Sequence, residues 1–356
     1  MNHIEEVELQ WQQFKWDKKL SKAFGKSVYL IHDQIENLKN SREKTSIWKL
    51  VMTDGSKYFP IVLKIFKLPL NENHMVEINM YTKAYPVYHE YMPKLYWLEP
   101  NESSKEIWMV TEFVKPLRGQ IKLAPHHLEL IIPTIAKFHA QTFENRSLQH
   151  SELLDISLPQ FDSPDKRKER MEYLEKTRKY LDQAMIDPIL KELVEPKYDA
   201  IQKILNKGPI FFPEIIEAGQ CLIHGDLHVH NICCKNASDD GEWDIQLIDW
   251  ESVKYAPCWY DLVILVELLI DFRWDWQKKE EEIRTRCVRL YAEEMKKHGI
   301  LFKEDPVSLL KKAYLQRTLE KKLAKHLQRA LNGKKSALLK RYLEKVVVWG
   351  EELGLV

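Results

Sequence analysis

The apolar pattern of the chain changes period once, about a third of the way along. Up to residue 114 the apolar residues fall in short β-branched and aromatic runs: SVYLIH at 27–32, SIWKLVMT at 46–53, YFPIVLKIF at 58–66, KLYWLE at 94–99 and EIWMVTEFV at 106–114. Such runs read as strands. Asp54-Gly55 is a hairpin signal between the second and third, and the polar turn PNESSK joins the last two. Within this third only residues 72–85 read as a helix. Further on the spacing becomes three and four. Leu128, Ile131, Ile132, Ile135, Phe138 and Thr142 share one helical face, with Pro133 expected to kink or restart that helix. Ser163-Pro164-Asp165 is a helix start that opens a charged helix to about Ala184. Leu315, Leu319, Leu323, Leu327 and Leu331 form an apolar stripe stopped by Asn332-Gly333. One change of period implies an α+β chain: a small, mostly antiparallel sheet carrying one helix, then a helical body. The Pro- and Gly-containing segment VKPLRGQ at 114–120 marks the boundary, which gives domains at 1–115 and 116–356. At about 100–200 residues per domain, 356 residues agree with two.

Charge and cysteine content narrow the partners and the compartment. Fifty-four Lys and Arg against 53 Asp and Glu leave a net charge of +1, so the whole chain is no polycation and no nucleic-acid partner is expected. Residues 311–345 hold twelve Lys/Arg and two Glu, which we read as the solvated faces of amphipathic helices opposite the leucine stripe. Five cysteines, an odd and low number, suggest thiols kept reduced and a cytoplasmic location. The segment MNHIEEVELQWQQFKWDKK lacks the apolar run of a secretory signal. The longest nearly pure apolar stretch, Leu262 to Ile270, is nine residues long and contains Glu267, far short of the ~20 that span a bilayer, so no membrane partner is expected.

A single island of strand character interrupts the helical part. CLIHGDLHVHNICC (221–234) is followed by the polar turn NASDDGEW, with Asp240-Gly241, and by DIQLIDW (244–250). Polar residues between short apolar runs are loop tips displayed by a scaffold. Asp226 and Asn231 are separated by four residues, and Asp249 follows eighteen residues after Asn231 at the end of a predicted strand. Phosphoryl transfer from a nucleotide needs such a set. Asp226 would orient a hydroxyl and accept its proton, while Asn231 and Asp249 would offer oxygen ligands to Mg²⁺. In the first third, Lys64 is out of pattern in the apolar run IVLKIF, and Glu77 lies thirteen residues later on the predicted helix, with Glu72 as the alternative partner. A strand lysine paired with a helix glutamate is how a kinase holds the α- and β-phosphates.

Two other chemistries compete for these residues. His224, Asp226, His228 and His230 recur at every second position; on a continuous strand they would share a face and offer a zinc-dependent hydrolase site, with Cys233 and Cys234 close by. Against this, Gly225 breaks a strand. The aromatic residues Trp250, Trp259, Tyr260, Trp274 and Trp276, with Asp271 and Asp275, suggest a cage for a cationic amine acceptor, or else core.

HGDLHVHN followed by LIDWESVKYAPCWYDL closely resembles the aminoglycoside phosphotransferase and choline kinase-like superfamily, whose pattern is H-G-D-L-H-x-x-N, then I-D-W-E, then a further aspartate, here Asp261. The resemblance extends to Lys64, Glu77, the segment WMVTEFV and the helix ending IAKFHAQTF. It implies a two-lobed protein-kinase-like fold with a small antiparallel-sheet N-lobe and a large helical C-lobe. It further implies ATP as donor, with GTP as the alternative nucleotide, Mg²⁺ as cofactor and a small-molecule hydroxyl as acceptor, such as an amino alcohol, a sugar or an aminoglycoside. By the same resemblance Asp226 is the catalytic base and Asn231 and Asp249 are metal ligands. Lys64 and Glu77 are the phosphate-anchoring pair, Glu112, Phe113 and Val114 the adenine-binding hinge, and His224 and Asp261 braces for the loop. The chain departs from protein kinases in lacking an A-P-E segment, which favours a small acceptor. It also lacks glycine in ENLKNSREKTS, the loop between the first two strands. That second departure keeps open an alternative, a kinase-like binding or structural protein impaired in turnover.

Overall fold

The structure is a computed structural model of the chain and describes residues 3–40, 45–101, 105–144, 146, 156–238, 241–334 and 336–356. It divides into two compact units. One comprises Met1–Gln120, Ile232–Ala237 and Asp244–Glu251; the other comprises Ile121–Asn231, Ser238–Trp243 and Ser252–Val356.

In the first unit the alternating runs form a five-stranded antiparallel sheet. Its strands are β1 (Tyr29–Asn40), β2 (Thr45–Thr53), β3 (Tyr58–Lys67), β4 (Leu95–Asn101) and β5 (Glu106–Glu112). They lie in the order β1-β2-β3-β5-β4. The period of two sends Ile61, Leu63 and Ile65 to one face and Val62, Lys64 and Phe66 to the other. Two helices that we did not expect, α1 (His3–Gln13) and α2 (Trp16–Phe24), cover the first face. Val7, Trp11, Trp16 and Leu20 are buried there with Leu50, Leu63, Ile65 and Trp108. Trp16 stacks on Trp11 at 5.6 Å and on Trp108 at 5.4 Å, and full burial of side chains this large stabilises by roughly 1.5–3 kcal/mol each. The helix α3 (Glu72–Asn79), started by the Asn71 side chain accepting from the His74 N–H at 2.9 Å, supplies Glu77 to Lys64.

Strand β5 stops at Glu112, two residues earlier than expected. In the register Ile61 faces Glu112, so the next partner would be Pro60, which has no N–H to donate. A short hairpin completes this unit. Its strands β7 (Ile232–Cys234) and β8 (Ile245–Leu247) pair antiparallel, and the Leu117 N–H donates to the Ile232 carbonyl at 2.9 Å. The glycine-free loop falls in part outside the described residues at 41–44, as do 102–104 of the turn PNESSK and Asp240 of the later turn.

Among the described residues the second unit is mainly helical, with one two-stranded ladder, β6 (Gln220–Ile223) with β9 (Lys254–Pro257). The helix His127–Ala140 runs through Pro133 without restarting. Leu128, Ile131, Ile132, Ile135 and Phe138 are all fully buried, and the packing of that face outweighs the one hydrogen bond that proline removes. Ser163 caps the helix Pro164–Ile186, its hydroxyl accepting from the Lys166 N–H at 3.3 Å. Leu315, Leu319, Leu323 and Leu327 are buried, on a continuous helical run broken by a π-turn at Thr318–Lys322. The basic stretch 311–345 is more than a solvated face: Lys311 and Lys345 are buried and bonded to carboxylates, Glu352 and Glu267 respectively, each at 2.8 Å. Among the described residues no helix is long and apolar enough to cross a membrane.

Candidate active site

Lys64 lies on β3, the middle strand of the sheet, and is buried. Its Nζ donates to both Glu77 carboxylate oxygens, at 2.6 and 2.7 Å, and to Asp249 Oδ1 at 3.1 Å. Glu77, rather than Glu72, is therefore the partner. Burial alone would depress the Lys64 ammonium, but the Glu77 and Asp249 carboxylates more than offset it and hold its pKa above the ordinary lysine value. Burial pushes Glu77 up; the Lys64 ammonium opposes that, and the Asp249 and Glu251 carboxylates add to it.

Asp249 does not end a strand. It lies two residues past β8 in left-handed backbone, φ +65°, a conformation that aspartate tolerates better than most residues and that marks functional sites. The Glu251 carboxylate joins the group: ligand atoms of Glu77, Asp249 and Glu251 lie within 4.8 Å of one another. Three carboxylates facing one ammonium leave a formal excess of two negative charges, and hard carboxylate oxygens are what Mg²⁺ takes. Glu251 had no role in the sequence reading, although its signal was present in Asp249-Trp250-Glu251.

Glu112 ends β5, and its N–H donates to the Lys94 carbonyl at 2.8 Å while Lys235 Nζ lies 3.4 Å from its carboxylate. Phe113 and Val114 continue past the ladder. Val114 is buried, and the Lys49 ammonium lies 5.2 Å from the centre of the Phe113 ring.

In the second unit, β6 delivers the loop His224–Asn231. The buried Asp261 carboxylate accepts from the backbone N–H groups of His224, at 2.7 Å, and Gly225, at 2.8 Å. His139 Nε2 lies 3.2 Å from the same carboxylate, and its Nδ1 lies 2.8 Å from the Tyr291 hydroxyl. Gly225 has φ +79°, and a Cβ there would sit 2.2 Å from the Ser252 carbonyl oxygen, so the turn requires glycine. Asp226 is half-exposed, with His228 Nε2 at 3.3 Å from its Oδ2. Partial burial would raise this carboxyl, yet the His228 hydrogen bond, with the fields of His224 and Lys322, holds it below the usual carboxylate range. Asn231 is buried, and its amide donates to the Asp226 carbonyl at 2.9 Å.

Two expectations need correction. His224, Asp226, His228 and His230 do not share a strand face, because β6 ends at Ile223 and Gly225 turns the chain. Among the described residues, Glu77, Asp249 and Glu251 form the one group of His, Cys, Asp and Glu with mutual metal-ligand spacing, so the zinc reading finds no site. The amine cage also fails. Trp250, Trp259, Tyr260 and Trp276 are buried core. Asp271 accepts from Arg341 and Lys345, each at 2.7 Å, and Asp275 from Arg273 at 2.7 Å.

The model of the phosphotransferase enzyme family matches residues 50–297 of this chain. No curated protein matches it in sequence. Among solved structures, choline kinase from Cryptosporidium parvum is similar at 12% identity, with 92% of each chain covered and a TM-score of 0.52. Spectinomycin phosphotransferase, in complex with ADP and spectinomycin, is similar at 13% identity, covering 96% of this chain and 98% of that one, with a TM-score of 0.53. The GDP complex of aminoglycoside 2'-phosphotransferase-IIIa is similar at 13%, covering 96% and 99%, with a TM-score of 0.52. These likenesses give the fold as protein-kinase-like, and with the matched model extending over 50–297, the chain belongs to the phosphotransferase enzyme family.

Proposed function

We propose that this phosphotransferase moves the γ-phosphoryl group of ATP to a hydroxyl of a small molecule, with Mg²⁺ as cofactor. The observation that carries the reading is the buried Lys64–Glu77 pair with Asp249 on the same ammonium. A lysine held rigid between two carboxylates presents its charge to a nucleotide's α- and β-phosphates. The ADP and GDP complexes of the similar phosphotransferases support a nucleotide donor. In this reading residues 1–115 bind the nucleotide, with Glu112, Phe113 and Val114 along the adenine, and residues 116–356 carry the catalytic loop and the acceptor site.

The residue chemistry is simple. Asp226, an ionised and half-exposed carboxylate, accepts the proton of the acceptor hydroxyl. That oxygen forms a bond to the γ-phosphorus, the bond from phosphorus to the β–γ bridging oxygen breaks, and ADP leaves with the bonding pair. Asn231 and Asp249 would hold Mg²⁺, and the Glu251 carboxylate lies close to that of Asp249. The ion, when bound, neutralises charge on the phosphate oxygens. Positioning and electrostatics supply most of the rate.

The deciding experiment measures ATP and GTP consumption across hydroxylated small molecules, for the wild type and for Asp226→Ala. The variant is expected to lower kcat by roughly 10²–10⁴-fold, the scale of a general base. Near-wild-type turnover would remove Asp226 from the reaction, and nucleotide consumption that needs no acceptor would remove phosphoryl transfer to a hydroxyl.

A further inference from the structure

Residues 259–272 form one helical run, α-helical at both ends with a π-turn over Val263–Glu267. Its side chains separate by chemistry. Glu267 and Asp271 are buried and bonded to cations, Glu267 to Arg284 and Lys345, Asp271 to Arg341 and Lys345. Ile264, Leu265, Leu268, Leu269 and Phe272 recur at the one- and four-residue offsets that make an apolar stripe along a helix. That stripe is one wall of a cavity of about 310 Å³, and the loop residues His228, Val229 and His230 border it too.

The wall is left partly open. Leu268 and Leu269 are only partly buried, and Phe272 is 62% exposed. A single exposed leucine needs no explanation, but contiguous apolar side chains around a concavity of this size are the usual lining of a small-molecule site. The π-turn points the same way, since such turns inside α-helices are frequent at functional sites.

His228 joins the cavity to the loop carboxylate. Its Nδ1 accepts from the His230 backbone N–H at 3.2 Å, which leaves the proton of the neutral ring on Nε2. Nε2 lies 3.3 Å from Asp226 Oδ2. A residue of the cavity wall is therefore hydrogen-bonded to Asp226, and all of these groups belong to the second unit. Among the described residues the lining contains no Asp, Glu, Lys or Arg. A charged acceptor would lose its water there with no opposite charge to replace it, whereas an apolar body gains by leaving water. An apolar cavity of roughly 150 Å³ holds one benzene, so this one has room for about two rings.

We propose that this cavity seats the apolar body of the acceptor, and that the molecule phosphorylated is an uncharged alcohol whose apolar part is about two rings in size. The inference rests on the phosphotransferase reading and, within it, selects an apolar alcohol over a cationic amine or a bare sugar.

The test is calorimetric titration of the full chain with three probes, naphthaleneethanol, choline and glucose, followed by ATP consumption with each. Naphthaleneethanol is expected to bind at least about tenfold tighter than the other two and to be the preferred acceptor by kcat/KM. Leu268→Glu and Leu269→Glu, which bring a carboxylate to the wall, are each expected to weaken it by about tenfold or more, while Leu269→Met keeps the wild-type affinity. Circular dichroism melts identify the variants that fold. The proposal is overturned if naphthaleneethanol does not bind at millimolar concentration, if choline or glucose binds as tightly, or if folded glutamate variants keep the wild-type affinity. It is also overturned if naphthaleneethanol binds but choline or glucose is the better acceptor, and in that case the phosphotransferase reading stands. Tight binding of naphthaleneethanol that the glutamate variants abolish, with no ATP consumed for any probe, would instead count against the phosphotransferase reading and leave the apolar site in place.

Discussion

The side-chain amide of Asn231 donates to the backbone carbonyl of Asp226 at 2.9 Å, which closes the loop between the two residues on itself. With the amide nitrogen engaged in that bond, the amide oxygen is the acceptor that the proposed reading assigns to the metal. Asn231→Ala is expected to shift the midpoint of a Mg²⁺ titration of activity upward by about tenfold to a hundredfold, the range seen when the support of a metal site is removed. Asp249→Asn is expected to move it in the same direction. A Mg²⁺ titration unchanged in both would exclude the pair as ligands.

Lys64 and Glu77 are each buried, so removing one partner strands a charge while removing both does not. Lys64→Met should destabilise the protein by roughly 3 kcal/mol, and the double variant Lys64→Met/Glu77→Leu should recover most of that. Activity should stay lost in both, because both lack the ammonium that the proposed reading sets against the phosphates. Urea denaturation read beside ATP turnover separates the two effects; a double variant no more stable than the single one would show that the pair is not mutually dependent.

How much of this site could be read from the amino acids depends on whether the local pattern carried the information. Lys64 stood out because an alternating apolar strand left it as a misfit, and the thirteen-residue offset brought Glu77 within reach. Asp226 and Asn231 were legible as a spaced pair between strands. The helices over 3–24 carry a weaker signal: Ile4, Val7, Trp11 and Phe14 fall at helical spacing, but the many charged and amide residues between them leave the apolar face narrow. The stop of β5 at Glu112 depends on which residue of a neighbouring strand faces Phe113, and that is a matter of register. The fate of the aromatic cluster likewise turned on tertiary neighbours: Asp271 looked available until Arg341 and Lys345 were placed on it.

Gly225 offers a sharp steric test. A methyl group there would meet the Ser252 carbonyl at 2.2 Å in a backbone conformation, φ +79°, that side chains rarely adopt. Gly225→Ala should therefore destabilise by about 1–3 kcal/mol and displace Asp226, lowering kcat more than it raises the KM for ATP. A variant with unchanged melting temperature and kcat would show that the loop relaxes without loss.

The second unit also carries an acid-sensitive core. Glu267 is fully buried between Arg284 and Lys345, with Lys345 Nζ at 2.8 Å from its Oε2. Burial would raise this carboxyl, but the Lys345 and Arg284 charges prevail and hold it below its ordinary value. Asp261 is likewise lowered: burial pushes it up, while His139, His224 and the Gly225 N–H pull it further down. Both groups have a folded pKa below the unfolded one, so their stabilisation is complete above about pH 4–5, near the unfolded values, and is lost as pH falls through the folded values. The melting temperature of the wild type should accordingly hold from pH 7 to about pH 5 and fall steeply below about pH 4. Glu267→Gln, measured in the same series, should start lower at neutral pH and lose less on acidification. A wild-type melting temperature that stayed flat to about pH 3 would mean that these carboxylates are not held ionised by their partners.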